Sequence, residues 1–258
     1  MPIDFHALAS NTSIDYVDNS YGVKLTISTP RLTIRSITSD DISFYQSLWA
    51  DKAIMEKFAD GQPKLFSGST DEKEEKFRAG QPYDYAEWRI GGWLGRLRDG
   101  DIWSGLTILN SEEEKIGHII IGGGELAYFL IPTEWNKGYA SEAAAALTRI
   151  AVPILMTQYG VTPPQKIAAT VREDHKRSQS VLHNAGLTLG DELNIKEFNG
   201  QSFERYIAEV STNFLMNQYE AWKKSVAIII PMTRLNDMFF KHKTSSAAEE
   251  DASQSLFI

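Results

Sequence analysis

Between Glu125 and Ala143 the chain reads Glu-Leu-Ala-Tyr-Phe-Leu-Ile-Pro-Thr-Glu-Trp-Asn-Lys-Gly-Tyr-Ala-Ser-Glu-Ala. An apolar run of strand character enters a short polar turn and then opens an alanine-rich helical stretch. The first turn of a helix leaves backbone N–H groups without intrahelical partners, and the macrodipole adds roughly half a positive charge there. Gly138 permits tight dihedrals and close approach of a ligand to the backbone, Ala140 and Ser141 are small, and Lys137 supplies a nearby cation. Main-chain binding of a phosphate or diphosphate is the chemistry this arrangement offers. A glycine that merely makes a turn looks the same in isolation, so the segment draws meaning from its surroundings.

Other chemistry is narrowed by what is missing. The sequence has no cysteine, which removes disulfides, thiolate nucleophiles, iron–sulfur clusters and thiolate zinc sites. His6, His183 and His242 have no metal-ligand spacing, so no metal site is expected, and His118 reads as a packed strand histidine. Catalysis must use other side chains.

The elements that would hold the turn are legible from periodicity. Residues 1–27 are polar and weakly periodic and read as an extension. Leu32, Ile34 and Ile37 alternate as a half-buried strand. Ser39, Asp40 and Asp41 then supply an N-cap and anionic first turn for a helix with Phe44, Tyr45, Leu48 and Trp49 on one face. Gly61 to Gly68 reads as a loop, Asp71 to Arg78 as a short charged helix, and Tyr83 to Leu97 as a second amphipathic helix. Strands follow at Trp103 to Leu109, Ile116 to Ile121 and Glu125 to Ile131. Next come a helix from Ala140 to Leu155 that Pro153 bends or ends, a strand at Lys166 to Val171 and a helix from Ser178 to Ala185 stopped by Gly186. Ile195 to Phe198 pairs with Phe203 to Val210 across Asn199-Gly200. Phe214 to Lys224 reads as a helix, and Lys243 to Ser255 as a disordered acidic tail. Strands that precede, separate and follow helices predict an α/β (α+β) class with a mixed sheet.

Taken together, these segments resemble the GNAT N-acetyltransferase superfamily. Trp135-Asn-Lys-Gly138-Tyr-Ala140 is similar to its Q/R-x-x-G-x-G/A acetyl-CoA loop, with Trp135 in the first place. Thr29-Pro-Arg-Leu-Thr-Ile-Arg35 resembles the opening strand of the branch that acetylates ribosomal-protein N-termini, the RimJ/RimL-like branch. Glu125-Leu-Ala-Tyr-Phe-Leu130 resembles the Glu-Ile-Gly-Tyr-Trp-Leu strand of that branch, and Ala168 to Val171, Ser178, Val181-Leu182 and Ala185-Gly186-Leu187 resemble the strand and helix that follow. The likeness spans residues 28–211 and implies three parts: an extension at 1–27, the transferase domain at 28–211, and a C-terminal helical extension with a tail at 212–258. It also implies a mostly antiparallel sheet splayed between its fourth and fifth strands.

For the site, the resemblance implies acetyl-CoA as acyl donor, direct transfer to an amine with no covalent enzyme intermediate, and a thioester carbonyl bound by a backbone N–H around Phe129, Leu130 or Ile131. Asn136, Lys137, Gly138, Tyr139, Ala140 and Ser141 would hold the diphosphate. His175 stands where the family usually carries an Asn that binds the pantetheine amides, and Leu182 where many members carry an acidic Tyr. Glu125 occupies a position resembling a general base. Ser178, itself close to the cofactor, and Glu197 resemble an acid and base pair. Lys176 and Arg177 are candidates for the 3′-phosphate, and Tyr83, Tyr85, Trp88 and Trp93 for the border of the acceptor cleft. The acceptor would be a protein N-terminus or a small molecule such as a polyamine, amino acid or antibiotic. An acyl-CoA-binding or protein-interaction module, with the extensions carrying the function, is the alternative reading.

Bulk composition agrees with a folded chain. The 258 residues are 42% hydrophobic and 23% charged, with a net charge of −8, which argues against a general nucleic-acid binder and mildly favours a cationic acceptor. Met1 to Ser10 lacks a secretory n-region, and the apolar stretch Val226 to Pro231 falls far below the ~20 residues of a membrane span. These features predict a cytoplasmic protein without nucleic-acid or membrane partners, and a monomer or homodimer is the expected state.

Overall fold

A computed structural model describes residues 2–19, 22–58, 61–63, 86–90, 93–97, 105–122, 124–162, 164–198 and 200–227. The expected loop and charged helix over 64–78, Tyr83 and Tyr85, Trp103 and the tail beyond 227 lie outside these residues.

Residues 5–10, 13–19 and 22–28 form regular structure. Helix α1 (Phe5–Ser10) is capped by the Asp4 carboxylate on the Ala7 N–H, and β1 (Ser13–Asn19) pairs antiparallel with β2 (Gly22–Ser28). Strand β2 in turn pairs with β3 (Thr33–Ser36), so the segment read from sequence as an extension supplies two strands to the main sheet. The alternation of Val23, Leu25 and Ile27 with polar residues carries the signal, and Leu25 and Ile27 are fully buried. The short span and polar flanks dilute it.

The sheet runs β1-β2-β3-β6-β7-β8-β9-β11-β10, with β6 at Leu106–Leu109, β7 at Lys115–Gly122, β8 at Glu125–Leu130, β9 at Lys166–Arg172, β10 at Thr188–Phe198 and β11 at Gln201–Ser211. Every neighbouring pair is antiparallel except β8 with β9, which is parallel. Counting from β3, these two are the fourth and fifth strands across the sheet. In β9, Ile167, Ala169 and Val171 alternate inward as the pleat requires.

Two further strands correct the sequence reading. Residues 86–97 form β4 (Ala86–Ile90) paired antiparallel with β5 (Trp93–Leu97) in a separate two-stranded sheet, with Trp88 opposite Gly95 and Ile90 opposite Trp93. The expected helix over Tyr83 to Leu97 is absent there. Two consecutive glycines between apolar-rich pentapeptides are a hairpin signal that outweighs the helical spacing of the aromatics.

Helix α2 (Ile42–Ala50) buries Tyr45 and Leu48 as its spacing predicts. Its N-cap differs from expectation, because the Asp41 carboxylate makes no capping bond. Fully buried, it takes two hydrogen bonds from the Arg35 guanidinium at 2.7 and 2.9 Å, an ion pair from Lys115 at 2.9 Å, and donors from Thr38 N and Thr107 Oγ1. Burial opposes ionisation, but these donors outweigh it and hold the carboxyl far below the ordinary carboxylate range. A short helix, α3 (Lys52–Met55), follows with Asp51 as its cap.

The long helix α4 (Tyr139–Tyr159) is the core of the other layer. Ala143 to Ala146 are fully buried, and their small side chains let its backbone lie close to neighbours. Pro153 does not end it. The helix widens to a π turn over Ala146–Ala151 and resumes as α from Val152 to Tyr159, because proline offers no N–H and crowds the carbonyl four residues back. Gly160 (φ 68°) terminates it. The helix is long and apolar enough to cross a membrane, but 78% of its most apolar window is buried inside the fold, as befits a core helix. Helix α5 (Lys176–Asn184) packs against α4 and β9.

The chain divides into two compact units, Met1–Met216 and Asn217–Ile258. Within the second, residues 217–227 are helical; there the Tyr219 ring lies 5.4 Å from Trp222 and Lys223 bonds Glu220.

Candidate functional site

The parallel pair β8 and β9 touch at one register point, Glu125 opposite Ala168. Ala168 N donates to Gly124 O there at 2.8 Å, and beyond that point the strands diverge. Hydrogen-bond parity decides which groups line the opening. Ile131 N donates to Ile116 O on the β7 side, so Phe129 and Ala127 also face β7, while the alternate residues Leu126, Tyr128 and Leu130 aim their N–H and C=O groups toward β9. Of the three residues expected to supply a carbonyl donor, Leu130 therefore presents its N–H to the gap, whereas Phe129 and Ile131 donate within the sheet. Tyr128 N–H faces the gap as well. The Leu130 carbonyl is occupied by Trp135 Nε1 at 2.8 Å, which gives the departure from the Q/R pattern a structural task.

At the open end of the gap lies the loop before α4. Asn136 (φ 64°) and Gly138 (φ 85°) both adopt left-handed conformations. Asn136, Lys137 and Gly138 are exposed, and Tyr139 and Ala140 are half-buried. The mouth of α4 is thus open to solvent beside a slot between strands. Lys137 Nζ is held by Glu134 at 2.8 Å. Ser141 is buried and its hydroxyl accepts from Asn184 Nδ2 at 3.0 Å, so its side chain faces α5, away from the exposed loop.

Ser178 lies in the first turn of α5, not at its N-cap, which is His175. Its hydroxyl is 2.6 Å from the Tyr128 hydroxyl, which ties β8 to α5 across the diverging strands. Burial pushes the Tyr128 phenol well above its ordinary value, so it is a neutral hydrogen-bonding group. Tyr128 was not singled out from sequence, and its alternation with Phe129 inside the Glu125–Leu130 strand was the available signal. His175 is half-buried, with its pKa lowered by burial and then by Lys57. A neutral imidazole there offers one donor and one acceptor.

The two candidate carboxylates are separated from this group. Glu125 is exposed at the closed end of the gap, and Glu197 is exposed in β10, opposite Ser202 near the end of the β10–β11 hairpin. Near that hairpin a cleft of 540 Å³ is lined by Glu173, Asp174, Ile195, Phe203 and Glu204 together with Arg172 and Ser202. Asp174 is paired with Lys57 at 2.6 Å, and the Arg172 guanidinium stacks 4.1 Å over Phe203.

The opposite face of β8 is apolar. Phe129 meets Trp49 at 5.4 Å and Phe58 at 4.8 Å, and its ring is stacked 6.0 Å from His118. His118 Nδ1 is 2.7 Å from the Tyr45 hydroxyl, which is 3.3 Å from Thr107 Oγ1. Thr107 gives its proton to the Asp41 carboxylate, so Tyr45 donates to Thr107 and His118 donates through Nδ1 to Tyr45. Burial pulls the His118 pKa down to about 3, which leaves a neutral structural imidazole.

The family model described as an acetyltransferase (GNAT) domain matches residues 31–188. No curated protein matches the chain. Among solved structures, a GNAT-family acetyltransferase from Bacillus anthracis is 17% identical, with 73% of this chain and 99% of that one covered and a TM-score of 0.49. Spermidine N-acetyltransferase from Vibrio cholerae, solved in complex with CoA and spermine, is 18% identical, with 72% and 98% covered and a TM-score of 0.48.

Proposed function

The chain belongs to the GNAT acetyltransferase family, whose acyl donor is acetyl-CoA, and on that premise we propose that it moves an acetyl group directly to an amine within a ternary complex. The observation that carries this reading is the gap between β8 and β9, open beside the exposed left-handed loop at the mouth of α4. Loop amides at Lys137 to Ala140 are the groups that would hold a diphosphate, and the N–H groups of Leu130 and Tyr128 are those aimed where an extended thiol arm would lie. Acetyl-CoA supplies the activated carbonyl. A main-chain donor in the gap stabilises the oxyanion that forms when the amine attacks, worth about 3 kcal/mol in comparable sites.

The proton steps are assigned on the same reading. Glu125 takes a proton from the ammonium through water, and Ser178, held by Tyr128, gives one to the departing sulfur. His175 replaces an amide with a single donor at the mouth. The acceptor is a cation: Glu173, Asp174 and Glu204 line the cleft by the β10–β11 hairpin, and the net charge of −8 steers in the same sense. A protein N-terminus, as in the ribosomal-protein branch, and a polyamine both meet that description, in a cytoplasmic monomer or homodimer.

Calorimetric titration with acetyl-CoA followed by thiol release against a panel of amines tests the proposal. Binding with turnover on at least one amine is expected. Binding without turnover on any amine would make the chain an acyl-CoA-binding module, and failure to bind would remove the donor site.

A further inference from the structure

The loop at the mouth of α4 is fastened from behind by a segment remote in sequence. Glu142, in the first turn of α4, has a side chain only 5% exposed. Its carboxylate takes Thr29 Oγ1 at 2.6 Å, Arg31 N at 3.2 Å, Arg31 Nε at 2.7 Å and Arg31 Nη2 at 2.6 Å. The same guanidinium spends Nη1 on the Lys137 carbonyl at 2.9 Å and lies 4.8 Å over the Tyr139 ring. Thr29 is itself fixed by Leu32 N, which donates to its hydroxyl at 3.0 Å. Glu142 N closes the first turn of the helix on Gly138 O.

This arrangement sets the direction of a peptide plane. In a trans peptide the C=O and the following N–H point opposite ways. With the Lys137 carbonyl turned onto Arg31, the Gly138 N–H must point away from Arg31. The rigid fork of arginine does this because it binds a carboxylate and a carbonyl at once, which the single ammonium of lysine cannot reproduce.

From this the geometry assigns Arg31 and Glu142 as positioning residues that hold the Lys137 to Tyr139 amides in a diphosphate-binding orientation, an inference that rests on reading this loop as the diphosphate site. Strand β2 ends at Ser28 and leads directly into the Thr29–Arg31 strut, so the N-terminal hairpin, which lies outside the family match at 31–188, is mechanically continuous with the loop.

The test compares two donors, acetyl-CoA and S-acetylpantetheine, which has the thioester arm but no diphosphate. Wild type is expected to prefer acetyl-CoA in kcat/KM. Arg31→Lys and Glu142→Gln should each lose about tenfold or more of kcat/KM on acetyl-CoA, through KM and not kcat, while S-acetylpantetheine turnover stays at the wild-type value. Equal losses on both donors, or no loss on acetyl-CoA, would overturn the inference by showing a merely structural pair. A wild type that does not distinguish the donors would overturn the diphosphate reading itself, and the assignment with it. Should either variant fail to fold, Thr29→Val removes one donor to Glu142 and carries the same comparison.

Discussion

Gly138 is where a single side chain would change most. Its φ of 85° lies in the left-handed region, and an added Cβ would stand 3.3 Å from Arg31 Nη2. A β-branched residue strains that backbone by about 1–3 kcal/mol and pushes on the guanidinium that orients the loop. Gly138→Val should therefore weaken CoA binding by about tenfold or more in calorimetry, with a circular dichroism spectrum that matches wild type. Unchanged affinity in the folded variant would refute the loop assignment. The base is a separate question at the same scale. Glu125 begins the strand that carries the gap-facing N–H groups, about 10 Å from Tyr128 at the rise of a strand, so on this reading the amine attacks beside Tyr128 and its proton crosses to Glu125 through water. Glu125→Gln is expected to lower kcat by about 100-fold with the KM for acetyl-CoA unchanged, and Glu197→Gln to leave kcat within about twofold. The reverse pattern would move the base to the hairpin.

At the level of elements, the gap depends on how β7 carries β8. Gly117 sits opposite Leu130, and a Cβ there would fall inside the van der Waals shells of the Phe129 carbonyl oxygen and Leu130 Cδ2. Gly117→Ala must displace β8 toward β9 or break its pairing with β7, at about 1–3 kcal/mol. A lowered urea midpoint together with a raised KM for acetyl-CoA is the expected result, and a wild-type KM would show that the gap tolerates the shift. This dependence was not legible in the sequence, where Gly117 is only one residue of a strand. What was legible follows from strong periodicity: the Glu125 strand and the alanine-rich helix stand where their spacing places them, and the expected pairing of the strand ending at Phe198 with the one after it is present, although β10 begins at Thr188, seven residues before the strand expected there. The misreadings have physical causes. The stretch from Tyr83 to Leu97 reads as a helix on Tyr85, Trp88, Trp93, Leu94 and Leu97, yet residues 86–90 and 93–97, on either side of Gly91-Gly92 in the sequence, form two paired strands. Residues 13–28 alternate too briefly between polar flanks to announce two strands. Asp41 has the sequence context of a cap, but Arg35 and Lys115, brought beside it by β3 and β7, claim its carboxylate. Tertiary partners of this kind, like the Arg31 fork on Glu142, leave no trace in local spacing.

For the molecule as a whole, the buried titratable groups set how stability follows pH. His118 is 6% exposed and neutral in the fold, its pKa pulled down to about 3 by burial, against about 6.5 in an unfolded chain. Between those values the unfolded state binds a proton that the folded state refuses, so stability rises with pH and is lost as pH falls below about 6.5, by at most about 1.4 kcal/mol per unit. His175, lowered by burial and by Lys57, acts in the same sense. Asp41 is the opposite case in chemistry and the same in outcome. Its folded value lies below the unfolded one, so its contribution is full above about pH 3.9 and disappears as pH falls from there toward its folded value. The acid limb should therefore begin on the histidines and steepen on Asp41. His118→Gln, which cannot titrate but retains polar atoms near the Tyr45 hydroxyl, is expected to lower the urea midpoint at pH 7 and to flatten its decline between pH 7 and pH 5. A decline as steep as wild type would mean that the proton is taken up elsewhere in the unfolded chain, and the residual slope in the variant measures what His175 and the remaining histidines contribute.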